Sequence, residues 1–203
     1  NFLEFKSLVE QAAQQVPQQQ VDTLLEQVVQ DKSLGQHLED VISKVGENIT
    51  IRRIATIAQD ESTQASYNHG GKMAAMVSID GADRQVARDL AMHIAAMNPQ
   101  YVDLSLVPAQ EMKEQEDILV AQVANEDKTD EIKAKIVQAR LAKHFEALCL
   151  MDQSYIKNPD LSVKQFLQES GATLKSFIRY EVGEGIEKVE TDFASEVMAQ
   201  VKG

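Results

Sequence analysis

The sequence predicts an α+β protein: two small antiparallel-sheet subdomains with packed helices, a projecting antiparallel helical hairpin and a C-terminal helix. Three observations lead to this fold class. The segments with strand character are few and short, helical segments separate them, and the turns between them are typical of hairpins. A doubly wound parallel sheet would instead show strands and helices in regular alternation.

The first sixty residues predict short helices followed by one strand. Apolar residues recur at helical spacing within residues 2–12, 21–28 and 38–45, and Gly46 is placed to end the third helix. On this spacing residues 1–46 are helical throughout, apart from a break at Pro17. Residues 49–58 are rich in β-branched side chains and predict a strand.

A turn, a strand and a helix are predicted next. Residues 67–71, Tyr-Asn-His-Gly-Gly, predict a turn between strands, and residues 73–79 predict the strand that follows. Asp83 is placed to cap a helix that Asn98-Pro99 stops. The predicted buried face of this helix carries Val86, Leu90, His93, Ile94 and Met97, with His93 as a core histidine.

Residues 108–146 differ in character from the rest of the chain. They are densely charged, and they contain no glycine and no proline after Pro108. Two thin apolar stripes flank the polar residues 125–129 and predict two antiparallel helices: Met112, Gln115, Leu119 and Gln122 in one, and Ile132, Ile136, Ala139 and Lys143 in the other. The hairpin is either a partner-binding coiled coil or a solvated pair of helices, and the pattern does not separate these readings.

The last fifty residues predict a turn, a helix, a strand and a final helix. The turn is at Asn158-Pro159, and Ser162 is placed to cap a helix that Gly171 ends. Residues 176–182 alternate with the period of a strand. A helix is predicted from about Ile186 to Val201.

Composition limits the classes of function. With 203 residues the chain is long enough to bury a core, and its net charge of -12 argues against a surface that binds nucleic acid. No apolar run reaches the ~18 residues of a membrane helix, and no secretory signal is visible at the start. Cys149 is the single cysteine, and a reducing cytosol is its simplest setting. The chain opens at Asn1 without a methionine, as a fragment or a processed product does.

The motifs of catalysis are missing from the sequence. It has no phosphate loop, no dinucleotide-binding glycines and no Gly-x-Ser-x-Gly elbow, and its four histidines lack paired metal-ligand spacing. Cys149 follows His144 by five residues, a pair that suggests a thiol nucleophile, but its apolar neighbours indicate a small buried side chain. His69 lies in a glycine-containing turn, where it is either a contact residue or a turn residue without a task.

Four segments resemble the elongation factor Ts family. They are residues 45–53 (VGENITIRR), 66–70 (SYNHG), 91–96 (AMHIAA, with Asn98-Pro99 after it) and 177–188 (FIRYEVGEGIEK). The segments come in the family's order, with similar spacing, across nearly the whole chain. An ordered set of this kind is far more specific than any one of its members.

The resemblance implies how the chain is organised. Residues 1–60 look like the family's N-terminal core subdomain. Residues 61–101 and 151–185 look like the two parts of its C-terminal core subdomain. Residues 102–150 are similar to its coiled-coil insertion, and residues 186–203 to its C-terminal helical module.

The resemblance also implies a function: a cytoplasmic guanine-nucleotide exchange factor that changes no covalent bond and needs no cofactor. Factors of this family bind elongation factor Tu with GDP, loosen its phosphate and magnesium site, and stabilise its nucleotide-free state. GDP then leaves, and GTP displaces the factor. The implied partner is elongation factor Tu, GDP-bound and nucleotide-free, without nucleic acid or membrane; a homodimer or a 2:2 complex stays open.

Seven positions match contacts that the family makes with elongation factor Tu. They are Val45 and Gly46 for its nucleotide-binding domain, His69 as a histidine that reaches into Tu, Ile156 and Lys157 for a distal domain, and Asp192 and Phe193 in the C-terminal helical module, which docks on the nucleotide-binding domain.

Two family features have no counterpart in the sequence. The Thr-Asp-Phe intrusion motif precedes the helix that here carries Phe2 and Phe5, and the small N-terminal helical domain comes before that motif. Residues 191–193 have the same three letters but belong to the C-terminal helix, so the role does not transfer to them. The expectation is therefore a chain that binds Tu and exchanges nucleotide poorly. A scaffold protein built around the hairpin is the alternative from another class, and a Cys/His hydrolase is the third.

Overall fold

The structure is a computed structural model that describes residues 7–9, 20–57 and 60–185. The chain divides into two units, Asn1–Glu61 and Ser62–Gly203. The predicted apolar positions Phe2, Phe5 and Ala12 lie outside the described residues, as does the helix predicted from Ile186.

The described part of the first unit consists of short helices around a small hairpin. Its elements are α1 (Val21–Glu26), β1 (Val28–Val29), β2 (Lys32–Ser33) and α2 (Leu34–Val45). Ser33 begins α2 with a capping box, because its side chain accepts from the Gln36 amide while the Gln36 side chain accepts from the Ser33 amide. Leu24, Leu34 and Val41 form the centre of its apolar core.

Two predictions for this unit are wrong. Residues 1–46 are not helical throughout, because β1 and β2 pair antiparallel between the two helices. Residues 49–57 form no strand, and Ile49, Ile51 and Ile54 pack instead as half-buried side chains against the core of the unit. β-Branched side chains favour a strand only where a neighbouring strand completes the ladder, and the described residues supply none here.

The second unit contains a three-stranded antiparallel sheet. Its strands are β3 (Thr63–His69), β4 (Met73–Asp80) and β7 (Thr173–Glu181), in the order β3-β4-β7. β4 and β7 were predicted, whereas β3 was not. The turn predicted at residues 67–71 is also wrong in part, because residues 67–69 belong to β3 and pair with β4. The two strand pairs align His69 with Met73 and Met73 with Glu181, so these three residues lie side by side at one end of the sheet.

Helix α3 (Arg84–Met97) packs on one face of this sheet. Asp83 caps it by accepting from the amides of Gln85 and Val86, as predicted, and Asn98 ends it in the left-handed conformation. Ala75, Val77 and Ile79 of β4 face Leu90 and Ile94 of α3 in the core. Met97 was predicted on the buried face but is 44% exposed, since it lies in the last turn beyond that core.

The segment with the thin apolar stripes contains two helices, α4 (Ala109–Val123) and α5 (Asp130–Leu148). They run antiparallel: Met112 packs with Leu141 and Phe145, and farther along Leu119 and Val123 pack with Val137. The buried faces therefore use Val123 and Val137. Four residues of the predicted stripes are exposed instead: Gln122, Ile132, Ala139 and Lys143. In the described part of the chain, no helix has both the length and the apolar character that crossing a bilayer requires.

A small hairpin and a helix lie between α5 and β7 along the chain. β5 (Ser154–Tyr155) pairs with β6 (Asn158–Ser162), and α6 (Val163–Glu169) follows. The predicted turn at Asn158-Pro159 is wrong by two residues: the chain turns at Ile156-Lys157, and Pro159 lies within β6. Ser162 caps α6 with a capping box, as predicted. The small antiparallel sheets packed with helices confirm the α+β class.

Candidate functional site

Val45 and Gly46 form the C-terminal end of α2. Gly46 adopts the left-handed conformation at φ 76°, and its amide donates to the Ile42 carbonyl at 2.8 Å. This cap ends the helix directly after Val45, whose side chain is left 50% exposed. The capped end of α2 thus presents the apolar side chain of Val45 to solvent at a defined position.

His69 is the last residue of β3 and stands at the tip of the β3–β4 hairpin. The turn residues Gly70 and Gly71 have φ values of 58° and 74°, as in a type I′ turn. Two hydrogen bonds brace the turn: the Asn68 side chain accepts from the Gly71 amide at 2.9 Å, and the His69 carbonyl accepts from the Lys72 amide at 3.1 Å. The backbone that carries His69 is therefore well fixed.

Tyr67 holds the imidazole ring of His69. The two residues lie two positions apart on one face of β3, and the Tyr67 hydroxyl is 3.1 Å from His69 Nδ1. The ring of Tyr67 is half-buried and packs against the core of the unit, whereas His69 is exposed. Sequence reasoning missed Tyr67 because residues 67–71 were predicted to be a turn, and the mainly polar sequence of β3 gives no strand alternation that would place Tyr67 and His69 on one face.

Ile156 and Lys157 form the turn between β5 and β6. Ile156 is 41% exposed, and its amide donates to Nδ1 of the buried His93 at 3.2 Å. Because Nδ1 accepts this bond, Nε2 of the neutral ring carries the proton and donates to Gln153 Oε1 at 2.9 Å. Gln153 in turn donates to the Ala147 carbonyl at 2.6 Å. A chain of buried hydrogen bonds thus connects the turn to α3 and to the end of α5.

Burial of His93 has an electrostatic consequence. The ring has no exposed surface, and this burial lowers the pKa of His93 below its usual range, while the hydrogen bond to Gln153 acts in the opposite direction. The prediction that His93 is a core histidine is therefore confirmed. The structure adds that this neutral ring holds the backbone of the Ile156-Lys157 turn.

Two further contacts fix the same turn. Tyr155, directly before it, is buried and stacks on Phe166 with ring centroids 4.1 Å apart; burial, with the nearby charge of Asp89, raises the pKa of Tyr155 to about 12. On the other side, Lys157 Nζ lies 2.6 Å from a carboxylate oxygen of Asp89 on α3. The ion pair is partly exposed to solvent, so it orients Lys157 more than it stabilises the fold.

The chain was compared with models of protein families. A family model described as Elongation factor TS matches residues 1–184. The chain belongs to the elongation factor Ts family. It is therefore an elongation factor of protein biosynthesis, from a family whose activity is guanine-nucleotide exchange.

The elongation factor Ts match covers five of the seven predicted contact positions: Val45, Gly46, His69, Ile156 and Lys157. The structure places these five on three separate supports, namely a capped helix end, the tip of a strand hairpin and a turn anchored to α3. Asp192 and Phe193 lie beyond the matched residues and outside the described ones.

Cys149 is the nucleophile that a Cys/His hydrolase would require. Cys149 has no exposed surface, and burial raises the pKa of its thiol, so it is a core side chain and is poorly suited to act as a nucleophile. The burial of Cys149 therefore argues against the Cys/His hydrolase alternative, which needs a reactive thiolate at this position. Among the residues that the structure describes, no group of three or more His, Cys, Asp or Glu side chains is arranged to hold a metal ion.

Proposed function

We propose that this member of the elongation factor Ts family binds elongation factor Tu in the cytoplasm and promotes GDP release without covalent chemistry. The observation that carries the proposal is the family match over residues 1–184. That match includes each contact position that the structure describes: Val45, Gly46, His69, Ile156 and Lys157.

The mechanism is thermodynamic linkage. A factor accelerates GDP release when it binds the nucleotide-free conformation of Tu better than the GDP-bound one, because the two affinities and the affinity for GDP form one cycle. Binding then loosens the phosphate and magnesium site of Tu, and GTP later displaces the factor. This chain supplies the binding energy through its surface and changes no bond in the nucleotide.

The proposed contact residues bind different regions of Tu. Val45 and Gly46 meet the nucleotide-binding domain, His69 reaches into Tu, and Ile156 with Lys157 meets a distal domain. Asp192 and Phe193 belong to the C-terminal module that docks on the nucleotide-binding domain. The division into two core subdomains, the inserted hairpin at residues 102–150 and the module at 186–203 is part of the same proposal.

The described contact points are suited to binding because they are already ordered. Immobilising a rotamer-rich side chain on association costs about 0.5–1.5 kcal/mol, and a side chain or loop that is fixed beforehand avoids that cost. The His69 turn is braced by two hydrogen bonds, and the Ile156-Lys157 turn is held by His93 and by the buried ring of Tyr155. These supports favour a preformed contact surface.

Calorimetry with purified Tu tests the proposal. The chain is expected to bind nucleotide-free Tu at least about tenfold more tightly than Tu with GDP, a difference of roughly 1.4 kcal/mol. His69→Ala should weaken binding by about 1–2 kcal/mol without unfolding the protein, as for an interface hot spot. His144→Ala, on α5, is the matched control and should bind like the wild type. Equal affinities for the two states of Tu would rule the proposal out.

The helical pair favours one alternative, a scaffold that binds through α4 and α5. Ile118, Val120 and Ile132 are exposed on these helices, and such side chains suit a partner. A variant in which a short linker replaces residues 108–146 tests this alternative, and the bridge between Tyr101 and Cys149 lies outside the deleted segment. The exchange proposal predicts that this deletion affects Tu binding less than changes at His69 or Val45 do, whereas a scaffold would lose its main interaction.

A further inference from the structure

In the contact between Tyr67 and His69, the ring of Tyr67 is fixed by the core and the ring of His69 is exposed to solvent. Tyr67 pairs with Ala75 of β4, and its half-buried ring packs against the core, so its hydroxyl stands at a defined point. The exposed ring of His69 lies beside it, with ring centroids 6.1 Å apart and planes inclined by 30°. Nδ1 of His69 faces the hydroxyl at 3.1 Å. Nε2 therefore lies on the side of the imidazole away from Tyr67.

The chemistry of the two groups sets the direction of the hydrogen bond. A neutral imidazole has one N–H donor and one bare nitrogen, and the bond made by one nitrogen decides which nitrogen carries the proton. A phenol O–H is a better donor than a neutral imidazole N–H, and a bare imidazole nitrogen is a better acceptor than a phenol oxygen. The Tyr67 hydroxyl therefore donates to Nδ1, and the proton of the neutral ring is on Nε2.

We propose that Tyr67 is a positioning residue that holds His69 with its Nε2–H directed outward. The group that His69 meets on the partner is then a hydrogen-bond acceptor oxygen, such as a backbone carbonyl or a carboxylate. This inference rests on the proposed function, because it takes His69 as a contact with elongation factor Tu. Without the hydroxyl, the ring is free to turn and to exchange tautomers, and only part of the population presents the donor.

The first test is the tautomer of His69 in the free protein. Long-range ¹H–¹⁵N NMR at a pH where histidines are neutral distinguishes a protonated ring nitrogen from a bare one. The wild type is expected to show bare Nδ1 and protonated Nε2, and Tyr67→Phe to show a mixture of tautomers. A wild-type ring with its proton on Nδ1 overturns the inference, whether or not the chain binds Tu.

The second test is a double-mutant cycle on binding to nucleotide-free Tu. Tyr67→Phe should weaken binding roughly three- to tenfold, the effect of one lost hydrogen bond. In a His69→Ala background the same change should have no further effect, because Tyr67 acts through His69. Tyr101→Phe removes a similar hydroxyl, bonded to Glu111 at the base of α4, and should leave binding unchanged. Equal losses from Tyr67→Phe in both backgrounds would show that Tyr67 acts independently, against the inference.

The third test identifies the partner group by the chemistry that replaces His69. His69→Gln keeps an N–H donor near the position of Nε2, whereas His69→Met fills similar space without a donor. Gln should retain clearly more affinity than Met; equal losses contradict an acceptor on the partner. Failure of the wild type to bind Tu in any nucleotide state would reject the proposed function and the contact with it, while the NMR result would still decide the tautomer.

Discussion

Lowering the pH is expected to destabilise the second unit through His93. The buried ring accepts the Ile156 amide at Nδ1 and donates to Gln153 from Nε2. Protonation would place a second proton on Nδ1, facing the N–H of Ile156, so the hydrogen bond that holds the Ile156-Lys157 turn would be lost. Burial disfavours that protonated form and lowers the pKa of His93 in the folded protein.

The sign and size of the effect follow from this lowered pKa. In the unfolded chain the pKa of a histidine is about 6.5. The contribution of His93 to stability is therefore complete above that pH and is lost as the pH falls through the lower pKa of the folded state. For a ring that stays neutral in the fold, the unfolding free energy decreases by about 1.4 kcal/mol between about pH 8 and about pH 5.5.

Urea unfolding of the wild type and of His93→Gln measures this effect. Gln has no proton to gain, and other titrating groups cancel in the difference between the two proteins. The stability advantage of the wild type should fall from about pH 8 to about pH 5.5, by at most the ~1.4 kcal/mol of a ring that takes no proton in the fold, and hydrogen exchange at the Ile156 amide should accelerate over the same range. A difference that does not change with pH would refute the reasoning.

Four further substitutions test the packing, each by urea unfolding. Gly81→Ala should lower the free energy of unfolding by about 3 kcal/mol or more, because φ is 83° and a Cβ would lie 2.3 Å from the Gly171 carbonyl oxygen. Gly46→Ala, at φ 76° with open space around it, should lower it by only about 1 kcal/mol. Similar costs for the two would contradict the close approach. Cys149→Ser places a hydroxyl in an apolar core and should cost about 1–3 kcal/mol while leaving Tu binding unchanged; lost binding in the folded variant would contradict this. Phe177→Ala should cost about 2–3 kcal/mol, below the value for a fully buried Phe, because its ring is half-buried; a change under about 1 kcal/mol would show that the ring adds little to the core.

Helix ends were the most predictable part of the fold. Asp83, Ser162, Gly46 and Asn98 act as caps or stops, and each does so through bonds or dihedral angles within a few residues of sequence. Local chemistry of this kind is visible in a single sequence because no distant partner is needed.

Strands were less predictable because their stability depends on neighbours. Residues 49–57 have the composition of a strand but pack as irregular chain, whereas Thr63–His69 has a mainly polar composition and forms β3. β3 is at the edge of its sheet and buries only Ala65 fully, so its sequence lacks the apolar alternation of a half-buried strand. Pairing with β4 decides its conformation, and that pairing is not a local property.

The candidate site shows the same division between local and distant information. His69 was found because a glycine turn beside it is a local signal. The contacts that support the Ile156-Lys157 turn were not predicted, because His93 bonds to Gln153 and Ile156 across 60 and 63 residues of sequence. Such contacts arise only when the chain has folded, so a sequence pattern does not contain them.

Stopped-flow release of fluorescent GDP from elongation factor Tu measures the proposed exchange activity itself. Release is expected to accelerate with increasing concentration of this chain, and His69→Ala is expected to accelerate it less than His144→Ala does. A release rate that stays at its spontaneous value at every concentration, in a sample whose fold is intact, would contradict the claim that this chain acts as an exchange factor.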